Sequence, residues 1–172
     1  MKWKGLFITI VAVLLLAVTG CGKKEVKPVA IDEKTDKCAN CNMAVTNDQF
    51  GTEVILENGK SLKFDDLGCM YKWVNKNKDE KLQAKFVRDY NTKEWVEVEK
   101  ATYVYDKDIK TPMAYNVISF KDKKDAESFV SKNKGEVLAV KDLEKHEWKK
   151  NMDMMMKIKE ENGKKTDMNH SH

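Results

Sequence analysis

Sulfur-bearing side chains recur in three separate stretches of this 172-residue sequence. They are Cys38, Cys41 and Met43 in a C-x-x-C-x-M motif, Cys69 after Gly68, and Met113 after Pro112. Soft thiolate and thioether ligands select Cu(I) over hard cations, and Cu(I) is satisfied by two or three of them. A copper site of this kind needs no histidine cluster, so these five sulfur atoms are the predicted ligands.

Two structural uses of the cysteines stay open. Cys38 and Cys41 are spaced for a disulfide, which would stabilise a surface interaction module in an oxidising compartment. A zinc ion could stabilise the same module, but structural zinc normally takes four nitrogen or sulfur ligands. Only three cysteines follow residue 21, and this odd number leaves one thiol free if the other two pair. The count therefore favours metal ligation over a disulfide alone.

A thiol-disulfide oxidoreductase that uses Cys38 and Cys41 is the alternative enzyme hypothesis. A thioredoxin-like motif opens a helix after a strand, whereas residues 43–48 have no helical pattern. The sequence contains no Ser/His/Asp order, phosphate-cradling glycine loop or nucleotide fingerprint. Its 32 basic and 28 acidic residues are well mixed, which argues against nucleic acid as a partner. These observations predict a binding protein rather than an enzyme.

The N-terminus has the pattern of a targeting segment. Lys2 and Lys4 precede an apolar run over residues 6–18, and Thr19-Gly20-Cys21 follows. The run is too short to span a bilayer as a helix, which needs about 20 residues. It is typical of a secretory signal over residues 1–20, with an uncleaved signal anchor as the alternative. The tripeptide resembles a bacterial lipobox, which implies lipidation of Cys21 and a cell-membrane protein on the extracytoplasmic face.

The first half of the remaining sequence predicts two strands, a helix and a third strand. Asn58-Gly59 lies between apolar runs over residues 52–57 and 61–64, which predicts a hairpin with a type I′ turn. Asp65-Asp66 is the expected cap of a helix. The apolar face of that helix is expected to comprise Leu67, Met70, Tyr71 and Val74. Residues 85–90 are the expected third strand.

The same order of elements recurs in the second half. Strands are predicted over residues 101–105 and 115–120, a helix follows Asp122, and a last strand covers residues 136–140. We therefore predict an α+β fold of two small ββαβ modules, about 37–92 and 93–140, packed together. One such module alone would have a thin core.

The two ends of the mature chain have different compositions. Residues 21–36 are rich in Lys and Glu and predict a tether between the membrane and the folded part. Residues 141–172 form a Met-rich helix and tail, with the helix expected over 143–162. Trp148, Met152 and Met155 fall at helical spacing there and predict a packing stripe. Met168, His170 and His172 lie in the tail, where Met and His could collect copper weakly.

Several motifs occur in an order that resembles the NosL family, the accessory lipoproteins of nitrous oxide reductase. The motifs are Cys21, the C-x-x-C-x-M segment, Phe64-Asp65-Asp66-x-Gly68-Cys69-Met70, Trp95, Ala101-x-Tyr103-Val104 and Thr111-Pro112-Met113. The resemblance spans roughly residues 38–140, which is most of the folded part, and predicts a domain of this family over residues 37–140. It implies a membrane-tethered Cu(I) metallochaperone that delivers copper to an acceptor protein, either nitrous oxide reductase or another copper enzyme.

The resemblance also implies a ligand set and a fold. Carried over residue by residue, the implied ligands are Cys38, Cys41, Met43 and Met113, and the implied fold is a pair of ββαβ modules. Two positions depart from the family pattern, because Asn42 and Ala114 stand where the family usually has glycine.

Overall fold

The computed structural model describes the backbone of residues 25–169 and the side chains up to residue 161. Within this range the chain forms seven strands, four α-helices and one short 3-10 helix over Val98–Lys100. Among the described helices, none combines the length and the apolar composition needed to cross a membrane. The predicted signal segment and Cys21 lie outside the described residues.

The first unit is a four-stranded antiparallel sheet with one helix. Its elements are β1 (Thr52–Leu56), β2 (Ser61–Phe64), α1 (Leu67–Lys76), β3 (Leu82–Arg88) and β4 (Trp95–Glu97). The strand order is β2-β1-β3-β4. Strand β4 was not predicted from the sequence, because three residues are too few to show an alternating pattern.

The turn between β1 and β2 differs from the predicted type I′ turn. Gly59 has a φ of 83°, but Asn58 is not among the residues with positive φ, whereas a type I′ turn requires two. The Gly59 amide donates to the Leu56 carbonyl oxygen at 2.8 Å. Ile55 pairs with Ser61, and the Leu56 amide donates to the Lys60 carbonyl oxygen at 2.9 Å. This leaves a three-residue loop over 57–59. In such loops the last residue adopts the left-handed conformation that glycine permits.

The second unit is a three-stranded antiparallel sheet covered by a helix. It contains β5 (Thr102–Tyr105), β6 (Val117–Phe120), α2 (Lys123–Asn133) and β7 (Glu136–Leu138). The strand order is β6-β5-β7. The predicted α+β class is confirmed, and the ββαβ order occurs in both units.

The end of β3 joins the two units. The Ser119 hydroxyl donates to the Arg88 carbonyl oxygen at 2.6 Å, and the Tyr90 amide donates to the Ser119 carbonyl oxygen at 2.8 Å. The Lys121 amide donates to Asp89 Oδ2 at 2.7 Å. One apolar cluster is shared by the two units, since it contains Phe64 and Met70 from the first unit and Tyr103 and Tyr115 from the second. This packing buries the thin core of each unit.

The segment predicted as a tether packs partly against the first sheet. The Val29 amide donates to Glu53 Oε2 at 2.9 Å, and Ile31 is a buried member of the core. Glu53 and Lys63 form a buried ion pair at 2.9 Å. Burying a charge is costly unless it is paired and hydrogen-bonded, and Ser61 supplies a further hydrogen bond to Glu53. The fold therefore begins near Val29, ahead of the predicted boundary at residue 36.

The prediction of one continuous helix over residues 143–162 is wrong. Two helices occupy the region, α3 (Val140–Leu143) and α4 (Met152–Asn169), with an irregular segment between them. In that segment Trp148 stacks on Tyr71 at 4.7 Å between ring centroids, and a helix begins again only at Met152. The predicted packing stripe is confirmed only for Trp148, which is buried, and Met155, which packs partly against the core. Met152 is 64 % exposed, and Met154 is buried instead.

Candidate metal centre

A tight loop between Lys37 and Ala44 presents the first two cysteines. These two residues form an isolated antiparallel bridge. Inside it, the Cys38 amide donates to the Met43 carbonyl oxygen at 2.8 Å, and the Asn42 amide donates to the Cys38 carbonyl oxygen at 2.8 Å. The loop is no helix N-terminus, in contrast to the motif of a thioredoxin-like enzyme.

The first turn of α1 presents the third cysteine. Asp66 is the N-cap, and its Oδ1 accepts from the Gly68 amide at 2.9 Å. Cys69 follows and is fully buried. A Cβ on Gly68 would lie 2.0 Å from the Tyr115 ring. Only glycine at this position therefore allows the helix to come so close to the ring.

Three thiols and one carboxylate converge at this point. The ligand atoms of Cys38, Cys41, Cys69 and Asp65 all lie within 4.8 Å of one another. All three cysteines are free thiols, with Cys38 and Cys69 buried and Cys41 half-buried. The loop and the helix, 28 positions apart between Cys41 and Cys69, thus contribute to one cluster.

Asp65 belongs to this cluster and is not a helix cap as expected. The Cys41 thiol donates to Asp65 Oδ2 at 3.2 Å. The other carboxylate oxygen, Oδ1, is buried and accepts no hydrogen bond from the described residues. A buried oxygen without a donor is costly, so this atom is available to a metal ion or to a proton.

The thiols differ in their acidity. A hydrogen bond from Cys69 lowers the pKa of Cys38 to about 4, against the opposing effect of burial. The same hydrogen bond, with burial, raises the pKa of Cys69 far above its ordinary value. Burial raises the pKa of Cys41 to about 12 and that of Asp65 to about 6. Cys38 is therefore the thiol of the cluster that ionises most readily, and metal binding must release protons from the other thiols.

The loop that carries Met113 is fixed by the same residue that caps α1. Asp66 Oδ2 accepts from the Thr111 hydroxyl at 2.6 Å and from the Met113 amide at 3.0 Å. The Met113 side chain is buried in the apolar cluster that contains Cys38 and Cys69. Asp66 therefore holds this loop beside the start of the helix that presents Cys69.

The predicted ligands fall into three groups. Cys38, Cys41 and Cys69 are brought together, and Met113 is buried in the same apolar cluster. Met43 contributes its carbonyl oxygen to the loop, while its side chain is 58 % exposed. Asp65 was missed as a donor, although its position between the end of β2 and the helix start places it at the same end of the unit as Cys69.

Both positions that depart from the family glycines adopt the left-handed conformation. Asn42 has a φ of 61° and Ala114 a φ of 54°. Glycine adopts this conformation freely and asparagine adopts it more readily than other residues. The backbone of both loops is therefore one that glycine would permit, and the substitutions leave it in place.

Comparison with known proteins places the fold and the family. The NosL family model matches residues 28–148. The structure is similar to the crystal structure of the copper chaperone NosL from Shewanella denitrificans, with a TM-score of 0.58 and 21 % sequence identity. The match covers 66 % of this chain and 92 % of that one. No curated protein matches the sequence. Because the family match spans both units and the cysteine loop, the chain belongs to the NosL family.

Proposed function

We propose that this protein is a Cu(I) chaperone that holds its cargo at Cys38, Cys41 and Cys69 and passes it on by ligand exchange. The observation that carries the proposal is the convergence of these three thiols within 4.8 Å of one another. Membership of the NosL family and the likeness to a copper chaperone support the same metal. The protein would bind and transfer the ion without catalysing a reaction of its own.

The donor types favour Cu(I). Sulfur ligands are soft and match Cu(I), whereas the Asp65 carboxylate is a hard ligand that suits other ions better. In the copper form we expect the three sulfurs to hold the ion and Asp65 to remain a neighbour. Met113 is a further thioether donor of the right softness on the loop held by Asp66.

The exposure of the cluster suggests a route for transfer. Cys41 is the half-buried thiol, while Cys38 and Cys69 are buried. An acceptor's thiolate, thioether or imidazole can add to a two- or three-coordinate ion before a donor leaves. We expect the acceptor to approach at Cys41, with the exposed Met43 thioether at the same loop.

The proposed copper acceptor and cellular location are supported by the family resemblance and by the N-terminal sequence. The family resemblance supports delivery to nitrous oxide reductase or another copper enzyme. The lipobox-like Thr19-Gly20-Cys21 supports a lipid anchor at Cys21 on the extracytoplasmic face of the cell membrane. Globomycin sensitivity of processing, together with labelling by a palmitate analogue that is lost in Cys21→Ala, would test the anchor.

The copper site is tested by anaerobic titration against a colorimetric Cu(I) chelator. We expect one tightly bound ion in the wild type, and at least a tenfold loss of affinity in each of Cys38→Ser, Cys41→Ser and Cys69→Ser. Met154→Leu, which removes a buried sulfur on α4, is the matched control and should bind as the wild type does. Unchanged affinity in all three serine variants would contradict the proposal.

A structural zinc site is the second candidate, because the cluster offers four donors where the sequence suggested three. Zinc prefers four ligands in a closed tetrahedral set. Asp65→Asn separates the two functions: it should weaken Zn(II) binding at least tenfold and leave Cu(I) binding nearly unchanged. Zinc in freshly purified protein that an excess of Cu(I) does not displace would favour the second candidate.

The oxidoreductase alternative is less well supported. An attacking cysteine must be both a thiolate and accessible. Cys38 has the lowered pKa but is buried, and the half-buried Cys41 has a pKa raised by burial to about 12. Neither cysteine meets both conditions. Insulin-reduction activity that depends on Cys38 and Cys41 would reverse this assessment.

A further inference from the structure

Methionines dominate the exposed large apolar side chains. Among the residues whose side chains the structure describes, four such side chains are exposed: Val29, Met43, Met152 and Met156. Burial normally stabilises a methionine by about 1.5–3 kcal/mol, so packing does not explain these three. Their common chemical feature is an accessible thioether sulfur.

The four methionines of helix α4 whose side chains the structure describes fall into two pairs. Met154 is buried and Met155 packs partly against the core, which makes these the inward pair. Met152 and Met156 are 64 % and 56 % exposed and form the outward pair. Side chains four positions apart lie on one face of a helix, with Cβ atoms about 5–6 Å apart. Two flexible thioethers at that spacing can ligate the same ion.

Helix α4 is tied to the loop that carries Met113. The Asn151 amide donates to the Ala114 carbonyl oxygen at 2.8 Å, and Asn151 Nδ2 donates to the Lys107 carbonyl oxygen at 3.0 Å. Further along the helix, Glu161 pairs with Lys110 at 2.8 Å. Met152 therefore follows a residue that is hydrogen-bonded directly to the neighbour of Met113.

We propose that Met152 and Met156 form a second, weaker Cu(I) site that loads the thiol cluster. Binding of the ion at this second site depends only on the exposed pair of thioethers. Its transfer to the thiol cluster rests on the proposed chaperone function. Two neutral thioethers neutralise no charge on the ion, so they bind Cu(I) more weakly than thiolates do. The ion then moves from weaker to stronger ligands, with the Met113 loop between the two sites.

The first test follows each thioether separately. Protein labelled with 13C at the methionine methyl groups is titrated with Ag(I), which has the same ligand preference and no redox chemistry under these conditions, and then with Cu(I). After the first equivalent occupies the thiols, the second should shift the methyl signals of Met152 and Met156. Methyl signals at those two positions that do not move would overturn the proposal.

Matched double variants complete the test. Met152→Leu/Met156→Leu should lose the second equivalent, keep the first, and load the thiol cluster at least threefold more slowly from a Cu(I)–glutathione donor. Met154→Leu/Met155→Leu removes the same number of sulfurs from the same helix and should retain both equivalents. Equal loss in the two variants, or loss in neither, contradicts the site.

The two proposals fail in different ways. If the thiol cluster binds no tight ion, the wild type lacks the first equivalent, while the Met152 and Met156 signals still report on the thioether pair. If the second equivalent binds at these residues and the loading rate is unchanged in the outward variant, the loading role is wrong and the first equivalent is unaffected.

Discussion

Asp65 and Asp66 are adjacent carboxylates with different partners. Asp65 accepts from the Cys41 thiol at 3.2 Å and lies within the sulfur cluster. Asp66 caps α1 and accepts from the Thr111 hydroxyl and the Met113 amide. One peptide unit therefore connects the proposed copper ligands to the residue that fixes the Met113 loop.

The first prediction concerns Asp66. Asp66→Ala removes the acceptor of three buried hydrogen bonds, and each orphaned donor costs about 1–3 kcal/mol. We expect a loss of at least roughly 3 kcal/mol in the free energy of unfolding, measured by urea denaturation. Cu(I) affinity should also fall if Met113 contributes a ligand.

Asp122 offers the matched control for this prediction. It stands at the corresponding cap of α2 but makes no side-chain capping hydrogen bond. Asp122→Ala should therefore change the unfolding free energy by no more than about 0.5 kcal/mol. Equal losses in the two variants would mean that generic capping, and not the Met113 loop, determines the effect.

At the scale of elements, the thiol cluster lies where the N-terminus of α1 packs against the second unit. The helix can approach because Gly68 faces the Tyr115 ring without a side chain. Tyr115 in turn packs edge-on against Trp148, which stacks on Tyr71 of α1. The start of α1, with Cys69, is thus packed against the rings of Tyr115 and Trp148.

The second prediction tests this approach. In Gly68→Ala the new Cβ would overlap the Tyr115 ring, so the helix start or the ring must move. Alanine favours a helix interior by about 1 kcal/mol over glycine, whereas overpacking costs about 1–3 kcal/mol. We expect a net loss of stability and at least a threefold loss of Cu(I) affinity, because Cys69 shifts with the helix.

Combining this change with Tyr115→Ala removes the overlap and supplies the control. The double variant should recover the Cu(I) affinity lost in Gly68→Ala, although it loses the packing of the ring. A Gly68→Ala protein as stable as the wild type, with the same affinity, would show that the approach is looser than the structure indicates.

The sequence predicted most elements but only part of the site. Apolar periodicity and the Asp66 cap located α1, and apolar runs located β1, β2, β5 and β6. The convergence of Cys69 with the cysteine loop depends on tertiary packing, which local patterns do not contain. Asp65 was missed because a capping role already explained an acidic residue at that position. The break before α4 was missed because Trp148 matches helical spacing and instead docks on Tyr71.

At the scale of the whole molecule, a small polar contact joins the two units beside the shared apolar cluster. Asp89 accepts from the Lys121 amide of the second unit and from the Asn91 and Thr92 amides of its own turn. Burial raises the pKa of Asp89, but these hydrogen bonds outweigh burial and leave the pKa below its ordinary value. The charged form of Asp89 therefore stabilises the junction.

The third prediction follows from the sign of that shift. Because the pKa is lower in the folded state, the contribution of Asp89 is complete above its unfolded pKa of about 4 and is lost as the pH falls through the folded value. Asp89→Asn should therefore lower the unfolding free energy by about 1–3 kcal/mol at pH 6, with a smaller difference from the wild type at pH 3.

The exposed Asp108 provides the control at both pH values. Its carboxylate pairs only with Lys107 at the surface among the partners described, and such pairs contribute about 0–1 kcal/mol. Asp108→Asn should change stability little at pH 6 and at pH 3. A difference between wild type and Asp89→Asn that grows on acidification would contradict the predicted sign.

The attachment of Val29 to Glu53 on the first sheet limits how far the domain can travel. With the lipid that we propose on Cys21, eight residue-to-residue steps separate Cys21 from Val29, and a fully stretched chain of that length reaches about 28 Å. Such a short tether would restrict the domain to a thin layer above the lipid headgroups. An acceptor whose copper centre opens farther from the bilayer would have to bend or descend to collect its ion.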